Sequence, residues 1–288
     1  MNIAEYRAPR NLDDALSLLS SSEFTPIAGG TDLLPSLRHS EPMNLLDVKN
    51  LALDFIKYQN GYVEIGSAVT HARLSRDANI GNTLTLLARA CRLVGSQQIR
   101  NRGTIGGNIV NASPCADSVP ALMNYDAEII LLSKGTTRTV KLSEFFIEPY
   151  RTIKKPSELL YSIKCKIPKE NTGYSYIKLG RRQAVNISRL TLAVSLIKDN
   201  NDVIGSASVA AGSVFPTTAR MDDVEKYLIG QKVSQRLFEE AGNLAADMMI
   251  KKSGVRWSTP YKKPVLTGLL IRALNEAAED NTASGMGS

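Results

Sequence analysis

At 288 residues the chain exceeds the usual size of one domain and can bury the cores of two or three. Hydrophobic residues at 43% and charged residues at 22% exclude a disordered or fibrous protein, and no internal repeat is visible. The formal charge of +7 is spread over short pairs, Lys154-Lys155, Arg181-Arg182, Lys251-Lys252 and Lys262-Lys263, with acids between most of them; this is the pattern of a solvated surface, with an acidic protein partner or an anionic ligand as the lesser readings.

The opening decapeptide MNIAEYRAPR lacks the apolar core of a signal peptide, and no apolar run approaches the ~20 residues of a spanning helix. A soluble cytoplasmic protein is expected. Residues 11 to 20 predict a short helix, with Asn11 as N-cap, Asp13 and Asp14 in its first turn and Ala15, Leu16, Leu18 and Leu19 as its apolar face. A strand from Phe24 then runs into Gly29-Gly30, and a helix-like segment starts near Asp32. Anionic groups on such a turn are held by backbone N–H groups and by Thr31.

Leu45 to Val48 and Val63 to Gly66 read as strands, with Asn60-Gly61 as a hairpin turn. A helix is predicted from about Thr70, and residues 83 to 94 form an apolar helix with Arg89 and Arg92 on its other side. That helix delivers a second glycine-rich segment, Gln97 to Met123, read as a ligand loop. Glycine allows close backbone approach, although a lone T-x-G-G-N also reads as a plain turn between strands. Strands follow at 127 to 132, 137 to 141 and 158 to 168, with a helix or turn from Leu142. Lys169 to Gly173 is the linker candidate and the expected main boundary.

Beyond it, 174 to 179 alternates as a strand, 190 to 197 is a strand or helix, and 203 to 212 is a small-residue strand; together they suggest an antiparallel sheet. Helices are expected at 222 to 229, 234 to 251 and 264 to 278, the last with Pro264 at its start. The final SGMGS reads as disordered. Cys91, Cys115 and Cys165 are odd in number and far apart, so they fit neither a disulfide framework nor a metal site, and reduced thiols are expected. Cys115 reads as a small buried filler, and His39 and His71 as surface or capping residues. No Ser-His-Asp set, metal-ligand helix or pair of catalytic carboxylates can be assembled, so no catalytic or metal-binding residue is assigned.

Taken together, Ala28-Gly-Gly-Thr-Asp-Leu33 and Gln98-Ile-Arg-Asn-Arg-Gly-Thr-Ile-Gly-Gly-Asn108 resemble the two cofactor motifs in the FAD-binding medium subunit of the molybdenum hydroxylases. That family spans xanthine dehydrogenase, carbon monoxide dehydrogenase and aldehyde oxidoreductase types. Tyr6-Arg-Ala-Pro9, Glu64 to Ala68, ELLYSIKCKIP, Tyr176 to Arg182 and Tyr261 to Ala273 extend the likeness over nearly the whole chain. The resemblance implies an α+β fold: a two-part FAD-binding domain, with a small βα subdomain at 1–56 and a larger mixed α/β subdomain at 57–172. A C-terminal domain of antiparallel sheet with helices follows at 173–281, then a disordered tail at 282–288.

It also implies FAD contacts from Ala28, Gly29, Gly30, Thr31, Asp32 and Leu33, and from Thr104, Ile105, Gly106, Gly107 and Asn108, largely through backbone. Asn111 and Asp117 complete the shell, and Leu160 packs on the flavin or adenine side. Lys178 matches a lysine held near the flavin, where it would stabilise negative charge on the reduced ring. From the residues alone, Asp117 also reads as a helix N-cap and Lys178 as an exposed strand lysine. Relatives often carry an acid after the basic pair, where this chain has Gln183-Ala-Val-Asn186.

The implied partners are an iron-sulfur small subunit bearing [2Fe-2S] clusters and a molybdopterin-binding large subunit, in a dimer of heterotrimers. Substrate is then hydroxylated on the large subunit, and electrons cross the iron-sulfur centres to the flavin and leave to an external acceptor. The alternatives are a free-standing FAD-dependent oxidoreductase and a cofactor-free basic module for nucleic acid or an acidic protein.

Overall fold

The computed structural model describes residues 2–37, 41–182 and 186–280. His39, Gln183-Ala184-Val185 and the 282–288 tail lie outside the described residues. The chain opens with β1 (Ile3–Arg7), α1 (Leu12–Leu19), β2 (Phe24–Ile27), the short α2 (Leu33–Ser36) and β3 (Met43–Asp47). The three strands form a parallel sheet in the order β1-β3-β2. Asn11 caps α1 by accepting from the Asp14 N–H at 2.8 Å, and Ala15, Leu16 and Leu19 are buried against Phe24 and Leu46.

A second sheet follows in the order β4-β5-β10-β6-β7, all antiparallel, from β4 (Ile56–Gln59), β5 (Tyr62–Gly66), β6 (Glu128–Ser133), β7 (Thr136–Lys141) and β10 (Leu159–Lys166). Asn60 and Gly61 both take positive φ, 52° and 74°, the geometry of a two-residue hairpin turn. A 3-10 turn at Leu142–Glu144 leads into a small hairpin, β8 (Phe146–Glu148) and β9 (Arg151–Thr152). The third sheet is antiparallel, β11 (Gly173–Leu179), β12 (Leu190–Lys198), β13 (Ile204–Gly212) and β14 (Ala219–Arg220). The architecture is α+β, with the parallel βα unit, the mixed unit and the antiparallel sheet with helices in chain order.

Between β5 and β6 lie six short helices: α3 (His71–Arg76), α4 (Ala78–Thr83), α5 (Thr85–Leu93), α6 (Gln97–Arg102), α7 (Ile105–Asn111) and α8 (Ser118–Asn124). The ligand loop expected over Gln97 to Met123 is therefore largely helical. Two caps explain it: Ser96 accepts from the Ile99 N–H at 3.2 Å, and Thr104 from the Gly107 N–H at 3.1 Å. Each satisfies a donor that glycine-rich sequence would leave open, and one good cap offsets the propensity cost of a glycine or two.

Helix α8 joins the second and third sheets. All its residues are buried, and the Asn124 amide donates to the carbonyls of Ala193 at 3.1 Å and Ser208 at 3.0 Å. The remaining helices, α9 (Asp222–Leu228), α10 (Gln235–Ser253) and α11 (Thr259–Glu279), cover the third sheet. Helix α11 starts one turn and more before Pro264, which lies inside it. Pro260, placed where a missing N–H costs nothing, is the proline that opens this helix. Among the described residues, no helix is long and apolar enough to cross a membrane.

Candidate functional site

Strand β2 ends where the chain must turn sharply against α6. A Cβ on Gly29 would lie 1.8 Å from the Arg102 carbonyl oxygen, and one on Gly106 would lie 2.5 Å from the Ser67 side chain. The two glycine motifs therefore touch, and only glycine permits it. A cleft of about 750 Å³ opens over this junction. Ala28 to Leu33, Thr104, Gly106, Gly107, Asn108, Asn111 and Leu160 line it. Ile105 lies beneath as fully buried core, and Asp117 and Lys178 are outside the lining.

The backbone donors of the two motifs differ. Among the described residues, the N–H groups of Gly29, Gly30, Thr31 and Asp32 make no hydrogen bond. Those of Ile105, Gly106 and Asn108 donate to Val69, Ser67 and Thr104 carbonyls at 2.9, 2.9 and 3.0 Å, and that of Gly107 to the Thr104 hydroxyl. The first turn thus carries open donors suited to phosphate. The second cannot clasp through the N–H groups of 105 to 108; it contributes a glycine surface and side chains. The Ser118 hydroxyl donates to Asn108 Oδ1 at 2.6 Å, which turns the Asn108 amide group outward as a donor.

Asp117 precedes α8 but forms no capping bond. Its carboxylate meets the Lys178 ammonium at 2.7 Å and accepts from the Ser188 hydroxyl. Lys178 also donates to the Leu93 carbonyl at 2.8 Å, and both side chains are 8% exposed. This ion pair ties α8 to β11, so Lys178 is not an exposed strand lysine. Burial raises the Asp117 pKa, with Lys178 and Ser188 acting against it.

Residues that sequence reasoning passed over also line the cleft. His71 is 2% exposed, with Nδ1 3.5 Å from Cys91 Sγ, rather than at the surface or capping a helix. Thr70 does the capping, which frees His71 to turn inward under Gly103. Burial, with help from Arg100, holds the imidazole down at about 4. An unfolded chain titrates near the ordinary 6.5, so stability from neutral His71 is complete above pH 6.5 and is lost toward pH 4, about 3 kcal/mol in all. Urea melts across that range should show the slope in the wild type and lose it in His71→Gln; equal slopes would refute the assignment.

Lys154, read in sequence as half of a surface pair, is the one permanent cation lining the cleft among the described residues. Its ammonium donates to the carbonyls of Lys155 and Glu158, both at 2.9 Å. Glu158 is fixed in turn by two Arg138 bonds at 2.6 and 2.8 Å. Two of the three ammonium donors are thereby oriented and the third is open. Burial lowers the Lys154 pKa, and Glu158 opposes that. Cys115 is half-buried and faces a different cavity, so it is not core filler. No group of three or more His, Cys, Asp or Glu able to hold a metal occurs among the described residues.

The cleft fits an extended phosphate-bearing cofactor: open donors at a glycine turn, a wall no Cβ could share, one cation and an apolar side at Phe24, Val48 and Leu160. Comparison with known proteins points the same way. The family model for the FAD binding domain in molybdopterin dehydrogenase matches residues 2–170, and that for the CO dehydrogenase flavoprotein C-terminal domain matches 175–277. The chain is 30% identical over 278 residues to the carbon monoxide dehydrogenase medium chain of Hydrogenophaga pseudoflava, covering 95% of this chain and 96% of that one. It is 31% identical over 279 residues to the glyceraldehyde dehydrogenase medium chain of Sulfolobus acidocaldarius, covering 95% and 98%. A solved structure of carbon monoxide dehydrogenase from Hydrogenophaga pseudoflava, lacking the Mo-pyranopterin moiety of its cofactor, aligns with TM-score 0.88 and 28% identity over 96% of this chain and 97% of that one.

Proposed function

Because the chain belongs to the family of FAD-binding flavoprotein chains of the molybdopterin dehydrogenases, we propose that it is the electron outlet of a molybdenum-containing hydroxylase complex. Electrons reach it from the iron-sulfur centres of a small subunit, after substrate is oxidised on a molybdopterin-binding large subunit, and leave to an external acceptor. The assembly is a dimer of heterotrimers in the cytoplasm, with no nucleic-acid role. The observation that carries this reading is the set of open N–H groups from Gly29 to Asp32, held against the second motif by the close approach of Gly29 to Arg102.

When bound, FAD supplies the redox centre, and the protein supplies position and electrostatics. Gly29 to Asp32 hold the pyrophosphate through N–H groups, and Thr31 adds a hydroxyl. Asn108 and Asn111 would offer side-chain hydrogen bonds to the bound cofactor, and Leu160 an apolar surface for it to pack on. Lys178 acts from outside the cleft: paired with Asp117, it ties α8 to β11 and fixes the segment that follows Asn111. We place the main domain boundary in the 169–173 linker; the ends of the two family matches, at 170 and 175, support this.

The purified chain incubated with FAD should turn yellow and quench flavin fluorescence with one site per chain. A colourless protein after gel filtration would sink the reading. Turnover by the isolated chain would favour a free-standing oxidoreductase. Lys154→Gln should weaken FAD about tenfold, less at high salt, and leave riboflavin unchanged; an equal loss for riboflavin would assign Lys154 to packing.

A further inference from the structure

A second cleft, of about 580 Å³, lies on the other side of the Pro149-Tyr150 step and shares no lining residue with the first. Arg181, Arg189, Arg256 and Lys262 line it, and no carboxylate does. Three half-buried arginines elsewhere meet acids: Arg138 meets Glu158, Arg220 meets Glu225 and Asp126, and Arg89 meets Asp280. Here none of the four meets a carboxylate among the described residues. Lys262 donates to the Ser213 carbonyl at 2.6 Å, Arg256 to the Ser253 carbonyl at 3.1 Å, and Arg189 lies 5.6 Å from the Tyr261 ring centre. The Lys262 pKa is pulled down by burial first; Cys115 works against this, while Arg256 and Arg189 add to it, so these cations lie within range of mutual repulsion.

Like charges gathered in a concave, partly dry site repel one another, and the arrangement raises the local potential for anions. The aromatic side of the cleft is equally unusual. Trp257, the only tryptophan of the chain, is 93% exposed at its rim, with Tyr261 and Phe215 beside it. A flat ring can stack there while its anionic group reaches the cations.

We propose that this cleft is a binding site for a small planar molecule carrying a phosphate or carboxylate group, distinct from the FAD cleft. Arg189 and Lys262 receive the anion, Trp257 receives the ring, and Cys115 lies on the wall within reach of the occupant. The proposal does not depend on the flavin reading, because it concerns other residues and a different signal.

Trp257 provides the readout, since its emission is the only tryptophan emission of the chain. The probe is 4-nitrophenyl phosphate, whose nitro ring quenches indole on contact, titrated into the full chain with and without saturating FAD. Saturable quenching is expected, competed by inorganic pyrophosphate and unaffected by FAD. Lys262→Gln and Arg189→Gln should each weaken it about tenfold, whereas Lys262→Arg should retain most of it. Neutral 4-nitrobenzyl alcohol should quench only linearly. Equal quenching by the neutral and anionic probes, or no change in the Gln variants, overturns the proposal. So does failure of the probe to saturate together with loss of Trp257 accessibility when the complex assembles, which would assign the cleft to a subunit contact. FAD failing to bind while the probe saturates would refute the flavin reading and leave this one standing.

Discussion

Gly29→Ala is expected to lower FAD affinity on the order of 100-fold, the equivalent of about 2.7 kcal/mol and within the cost of overpacking a tight site. The added methyl would sit 1.8 Å from the Arg102 carbonyl oxygen, 2.5 Å from its carbon and 3.1 Å from Gly103 Cα. All three are backbone atoms, so no side chain can swing aside. The turn must withdraw from α6, and its open N–H groups move with it. Fluorescence titration of FAD into the variant measures the loss. Gly61→Ala is the control: its φ of +74° costs roughly 1 kcal/mol of stability, but nothing lies within 4 Å of its new methyl. Gly61→Ala should therefore melt earlier and bind FAD normally. Wild-type affinity in Gly29→Ala would show that the contact between the motifs does not matter.

The second large effect concerns Lys178. Lys178→Met leaves the Asp117 carboxylate buried with only Ser188 for support, and breaking such a pair costs about 3 to 5 kcal/mol. The pH dependence gives the test its sign. Burial already raises the Asp117 pKa, and Lys178 is the largest force against that rise. Without the lysine, the folded pKa climbs further above the unfolded value. A carboxyl shifted this way contributes fully below its unfolded pKa and loses that contribution as pH rises through the folded pKa. The deficit of Lys178→Met relative to wild type should therefore shrink on acidification and be largest at alkaline pH. Asp117→Asn combined with Lys178→Met should recover part of the loss, because neither site then holds an unpaired charge. Urea melts at pH 5.5 and pH 8 decide it; a deficit independent of pH would remove Asp117 from the account.

Much of the fold was legible because local signals agreed with packing. Asn11, Thr70 and the Asn60-Gly61 pair each fix their own turn, and the strand expected at 158 to 168 is Leu159–Lys166, the central strand of the second sheet. The opening strand was passed over, since Ile3–Arg7 buries little and shows no strong alternation. The glycine segment was read as loop because glycine lowers helix propensity, while the deciding caps, Ser96 and Thr104, are single hydroxyls.

The candidate site divided in the same way. Backbone contacts between Gly29 and Arg102 follow from motif residues, whereas the inward turn of His71 and the exposure of Lys154 to the cleft depend on tertiary placement. Charge pairs misled for the same reason. Lys154-Lys155 and Lys262-Lys263 look alike in sequence, yet one lysine of each pair lines a cleft.

Strand β11 lies at the edge of its sheet, and α11 holds it there. Ser175 donates to Glu276 at 2.6 Å, the Tyr174 N–H donates to Asp280 at 3.1 Å, and a Cβ on Gly173 would strike the Ala277 carbonyl at 1.9 Å. During synthesis both glycine motifs leave the ribosome long before α11 is made. The exposed edge of the third sheet is therefore sealed by the last helix of the chain, and these contacts form only once nearly the whole chain has been made.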